Sequence, residues 1–129
     1  MQYDVVFEEF TQRHFIKSFE KKYKGSWELT HGYLIEEFKQ IDILFLKSVA
    51  ETIFDSPTIK ICKTEFKIAG TQDSRHSSGN RCIVAIHKDT MQVRVLLVYG
   101  KTDIASKNET AEWKKIIKGN YPQYKSIIN

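Results

Sequence analysis

The apolar positions along this chain change period near its middle. Phe15, Ile16, Phe19 and Tyr23 recur at helical spacing, and Thr11 offers an N-cap before them, so a helix is expected over about residues 12–24 with Gly25 as its left-handed stop. Ahead of it, Tyr3, Val5, Val6 and Phe7 make Gln2 to Phe7 a short first strand. A longer helix is expected from about Thr30 to Ile53, with Leu34, Phe38, Ile41, Phe45 and Val49 as its apolar stripe and Glu36, Glu37, Lys39 and Lys47 turned to water.

After Pro57 the spacing moves toward two. Thr58 to Ala69, Arg81 to His87 and Gln92 to Lys101 are rich in Ile, Val, Thr and Phe and read as three antiparallel strands. The last two show little alternation, which implies central strands covered on one face and only partly exposed on the other. Ser106-x-x-Glu109 is a capping box for a final helix through Trp113, Ile116 and Ile117 to Gly119, and Tyr121 to Asn129 forms a tail or short extra turn. The expected fold is α+β: two N-terminal helices packed on a four-stranded, mainly antiparallel sheet, with a C-terminal helix at one edge.

Composition narrows this picture. At 129 residues and 15.1 kDa the chain is expected to be one domain, 1–129, without repeats or linkers. Asp4, Glu8 and Glu9 stand where a signal peptide would be basic and then apolar, and no apolar run approaches the roughly 20 residues that span a bilayer, so a cytoplasmic protein is expected. Cys62 and Cys82 are far apart, too few to build a zinc site, and read as reduced thiols.

Charge is unevenly spread. Residues 1–57 hold 7 Lys/Arg against 10 Asp/Glu, whereas residues 58–101 hold 8 against 3. The basic part is therefore the sheet, which suits a polyanionic partner. Lys63, Glu65 and Lys67 are two apart and would share one strand face. A lysine crowded by other cations is pushed toward neutrality, and a glutamate between lysines is held ionised, so either could take a proton from a ribose hydroxyl. The polar loop from Gly70 to Asn80 carries Arg75 and His76, the one histidine placed among cations. Hairpin geometry sets Arg81 opposite Val98 or Tyr99, so Arg81, Tyr99 and Lys101 are expected to converge. Such a group fits RNA cleavage by internal attack of the 2′-hydroxyl, where fixed cations stabilise the growing charge on phosphorus without metal or other cofactor. Tyr99 is positioned to stack on a base or donate to a phosphate. The few scattered acids of this half disfavour a two-metal nuclease.

At these residues the sequence resembles the RelE/ParE toxin superfamily, most closely its HigB-like and RelE-like mRNA interferases. The resemblance is carried by FEEFTQRHFIKSFEKKYKG, by CKTEFKIAGTQDSRHSSGNRCIVAI and by VYGKTDIASKN, and spans residues 3 to about 118. It implies the toxin of a type II toxin-antitoxin pair: an endoribonuclease that enters the ribosomal A site, cuts mRNA to inhibit translation, and is blocked by a cognate antitoxin. By resemblance, Lys67 corresponds to the basic residue of the second strand, Arg81 to the strand-opening arginine, and Tyr99 with Lys101 to the end of the last strand. Lys63, Arg75 and Arg94 correspond to contacts with RNA phosphates. Two departures stand out: Ser77-Ser78-Gly79-Asn80 holds one glycine where the family loop is glycine-rich, and the catalytic tail residue has no counterpart unless Tyr121 or Tyr124 serves. Lys67, Glu65 and His76 remain alternatives for the general base. The same superfamily houses ParE-like proteins that poison DNA gyrase without catalysis, and a module that binds RNA or a partner through a degenerate site is a third reading.

Overall fold

In the computed structural model the described residues are 2–104 and 107–129. β1 (Asp4–Phe7) leads into α1 (Glu9–Thr11), a π turn (Gln12–Ile16) and α2 (Lys17–Lys22); α3 (Ser26–Lys39) and α4 (Ile41–Leu46) follow. Then come β2 (Ala50–Asp55), β3 (Ile59–Phe66), β4 (Asn80–His87), β5 (Gln92–Tyr99), α5 (Glu109–Asn120) and a 3-10 turn at Pro122–Tyr124.

The α+β class holds, with three corrections. The sheet has five strands, ordered β1-β5-β4-β3-β2, with β1 parallel to β5 and the other pairs antiparallel. The additional strand, β2, comes from the end of the expected Thr30–Ile53 helix. That helix starts earlier, at Ser26, and breaks at Gln40; Ser48 then turns the chain at φ 57° into β2. Thr11 does not cap the first helix. It is buried, and its hydroxyl accepts the Val98 N–H at 2.8 Å, pinning the helix to β5. Gly25 does take a positive φ, 78°, but its ψ of −50° is not the left-handed helical conformation expected of a helix stop.

The third correction concerns the second face of the sheet. α5 does not sit at an edge; Trp113 and Ile117, with Tyr121, Tyr124 and Ile128 behind them, pack on Ile61, Ile83, Ala85 and Leu97. Phe19, Trp27, Leu34 and Phe38 pack on Cys62, Cys82, Val84 and Val95 from the other side. Both faces of the central strands are thus covered, which is why Cys82 to Ile86 of β4 and Val95 to Tyr99 of β5 are unbroken apolar runs. The register shifts between Ile83 and Val84, where Leu96 is the extra residue of β5, and the Tyr121 hydroxyl donates to the Leu96 carbonyl at 2.7 Å. Ser106 of the expected capping box lies outside the described residues; Asn108 caps α5, its side-chain oxygen accepting the Ala111 N–H at 3.1 Å.

Candidate active site

Alternation along β3 turns Lys63 and Glu65 toward the α5 face while Cys62, Thr64 and Phe66 turn toward the helices. The ladder then sets Glu65 opposite Arg81 and Arg81 opposite Tyr99, one rung across three strands. The expected hairpin register is therefore met at Tyr99.

Glu65 is the hub. Its Oε2 lies 2.7 Å from His76 Nδ1 and 3.0 Å from the Arg81 guanidinium. Arg81 also donates to the carbonyls of Asn80 at 3.0 Å and His76 at 3.2 Å, and its side chain is only 12% exposed. Three anchors fix the plane of the guanidinium and leave about two of its five N–H groups for a ligand. The His76 side chain, by contrast, is 86% exposed. A carboxylate at Nδ1 holds the proton there and leaves Nε2 as the basic nitrogen facing outward.

The loop that delivers His76 is clipped to β3. The Ser78 hydroxyl sits 2.6 Å from the Phe66 carbonyl and 2.8 Å from that of Arg75, and accepts the Asn80 N–H at 3.1 Å. Gly79 takes φ 77°, a conformation costly for any residue with a Cβ.

Tyr99 is fully buried and its hydroxyl donates to Glu109 at 3.1 Å. Burial, followed by the Glu109 charge, pushes its phenol well up, so it holds its proton and presents no ring face for stacking. Lys63, 18% exposed, stands 3.9 Å from both Glu51 and Glu109. The sequence marks neither acid as a partner of Lys63: Glu51 lies on the strand hidden in the helical pattern, and Glu109 reads only as a capping residue.

The remaining candidates form contacts of their own. Lys101 lines a cavity of about 230 Å³ with Lys22, Tyr23, Ser78 and Asn80. Lys67 lies just past the end of β3, exposed between Phe66 and Ile68 of the helix-side core, and lines a cavity of about 390 Å³ with Tyr33, Glu37 and Arg75. Arg75 is held by Glu37 at 2.7 Å. Arg94 pairs with Glu8 and Gln92, five positions along β5 from Tyr99, or roughly 17 Å. Tyr121 and Tyr124 are buried, tied to Leu96 and to His87 respectively, the latter at 2.8 Å. Among the described residues no three His, Cys, Asp or Glu side chains are placed to hold a metal ion, and no helix is long and apolar enough to cross a membrane.

No protein-family model matches this chain, and no curated protein matches it in sequence. Among solved structures, the chain is similar to one from the archaeal RelE-RelB complex of Pyrococcus horikoshii OT3, with 11% identity, 79% of this chain and 98% of that one covered, and a TM-score of 0.47.

Proposed function

We propose that this chain is the toxin of a type II toxin-antitoxin pair, an endoribonuclease that cuts mRNA on the ribosome. The observation that carries the reading is the Glu65–His76–Arg81 cluster: an outward imidazole oriented by a carboxylate, beside a guanidinium with donors to spare. The motifs that resemble RelE-like interferases fall on the same strands and loop.

In this reading His76 Nε2 takes the proton of a ribose 2′-hydroxyl, and the freed oxygen attacks the adjacent phosphorus. The phosphorane gains charge, which the remaining Arg81 N–H groups meet more strongly than they meet the ground state. The bond to the 5′-oxygen breaks, leaving a 2′,3′-cyclic phosphate, and that oxygen takes a proton from Lys101 or water. Glu65 positions the imidazole. Tyr99, held by Glu109, supports the rung from beneath. Lys63 and Lys67 supply charge toward neighbouring phosphates. An antitoxin that covers this basic edge would carry acidic side chains on a segment that folds on binding.

The test is to induce the parent and its His76→Ala and Arg81→Ala variants and map mRNA 5′ ends. New 5′-hydroxyl ends in translated messages with the parent, lost in both variants, are expected. Ends that persist in both variants would remove the cluster from catalysis. DNA synthesis that stops first while mRNA stays intact would favour the gyrase-directed reading instead.

A further inference from the structure

α5 separates its charges by side. At about 100° per residue, Lys114, Lys118 and Lys115 fall with Ala111 in one arc of about 100°. Trp113 and Ile117 are turned to the sheet, and Glu109 and Glu112 lie outside the arc on the other flank. The arc borders a concavity of about 420 Å³, to whose lining Asn108 and Thr110 add polar groups. All four arginines of the chain hold acids: Arg13 with Glu9, Arg75 with Glu37, Arg81 with Glu65 and Arg94 with Glu8. Among the described residues none of the three lysines has an acidic partner, so this flank keeps their positive charges uncompensated. The Lys114 ammonium stands 5.9 Å from the Trp113 ring centre and its residue is half-buried, so part of the side-chain freedom that binding would remove is already lost.

The lining chooses among polyanions. Protein interfaces are poor in lysine and are built on apolar anchors, whereas the one apolar residue on this flank is Ala111. Surfaces that meet nucleic acid have the opposite, strongly positive composition. Unpaired RNA is held by aromatic faces as well as by cations, and among the described residues no exposed aromatic ring borders these lysines. A duplex turns its bases inward and its phosphates outward, and needs cations alone. Lys114 and Lys118 are one turn apart, about 6 Å along the axis, a step close to that between neighbouring phosphates of one strand. We propose that this flank of α5 docks the sugar-phosphate backbone of double-helical RNA. That the polyanion is RNA and not DNA rests on the ribonuclease reading. Glu109 holds Tyr99 at the rung, and Lys114 to Lys118 follow five to nine residues on, roughly 8–14 Å along the helix. A message strand at Arg81 and a duplex at α5 can therefore be held together, as on a ribosome whose own RNA is largely paired.

The experiment measures binding of an RNA duplex of about 16 base pairs to the full-length chain over a range of salt concentrations. One variant combines Lys114→Gln, Lys115→Gln and Lys118→Gln, which keeps three good helix formers. A control combines Lys17→Gln, Lys21→Gln and Lys24→Gln, removing the same charge from exposed positions near the N-terminal helix. In the α5 variant the slope of log K against log salt should fall by about one per lysine, with affinity about ten-fold or more weaker, while the control keeps the parental slope. A parental slope in the α5 variant, or equal losses in the two variants, would overturn the docking surface. So would displacement of the duplex by polyglutamate at matched charge, which would make an acidic protein the occupant. Cleavage separates this from the ribonuclease reading. A chain that binds duplex through α5 yet cuts no message on ribosomes keeps the surface and loses that reading. One that cuts message, and binds duplex no more weakly without the three lysines, loses the surface alone.

Discussion

Gly79 is pressed against Lys101: a methyl group added to the glycine would sit 2.7 Å from the lysine Cβ. That contact joins the loop bearing His76 to the segment following β5, and it requires both the missing side chain and the positive φ. Gly70, at the other end of the loop, has φ 85° and open space around it.

The two glycines therefore separate backbone strain from a steric clash. Gly70→Ala should cost about 1 kcal/mol, the penalty of a left-handed alanine. Gly79→Ala carries the same penalty and must also displace Lys101, so its urea midpoint should be lower and RNA cleavage should fall with it. Equal losses for the two variants would mean that the Lys101 contact contributes nothing.

His76 and Glu65 should divide activity from stability. With its side chain 86% exposed, His76 contributes little packing, so His76→Ala should leave the melting temperature nearly unchanged while lowering cleavage by about 10²- to 10⁴-fold. Glu65→Gln keeps the shape but removes the charge that orients the imidazole and pairs with Arg81. Its cleavage rate should fall less than that of His76→Ala, because the imidazole stays in place and loses only the carboxylate that orients it. A cleavage rate equal to that of the parent would argue against Glu65 acting through His76.

Much of this arrangement was legible before any coordinates, and the parts that were not have physical reasons. Arg81 and Tyr99 could be aligned because a short hairpin leaves little freedom of register, whereas the long loop from Gly70 to Asn80 gave no register that would set Glu65 opposite Arg81. β2 was hidden because Phe45, Val49 and Ile53 fit a helical stripe as well as they fit a strand, and short apolar runs are ambiguous by period alone. The break at Gln40 has no glycine or proline to mark it. Phe66 and Ile68 both pack in the helix-side core, as the alternation of this strand predicts. The ion pairs of Arg75 with Glu37 and Arg94 with Glu8 span 38 and 86 residues, and no local pattern announces partners so distant.

Two histidines make the fold sensitive to mild acid. Burial lowers the pKa of His87, which is bonded to the Tyr124 hydroxyl, and that of His31, packed between Phe7 and Trp27; for His31 the Glu20 charge opposes the effect. With folded-state values below the ordinary 6.5, the unfolded chain binds more protons in the window between the two. Their contribution is full above about pH 6.5 and is lost as pH falls through that window. The melting temperature should therefore drop between pH 7 and pH 5, and less steeply in a His31→Gln/His87→Gln double variant. Equal slopes would assign the acid sensitivity to other groups.

Thr11 supplies the most direct test of how the N-terminal helix is anchored. Its hydroxyl accepts the Val98 N–H at 2.8 Å in a fully buried setting, just where β5 meets the start of the helix. Thr11→Val preserves the branched shape and deletes the acceptor, leaving a buried backbone donor unpaired, which should destabilise the fold by about 1–3 kcal/mol. Thr11→Ser keeps the acceptor and loses one methyl, so it should cost about 1 kcal/mol. Thr11→Val should therefore be the less stable of the pair in urea, although it is the more apolar. Amide exchange at Val98 should speed up in Thr11→Val alone. If Thr11→Ser proves the weaker variant and Val98 exchange is unaffected by either substitution, packing rather than this hydrogen bond holds the helix on β5.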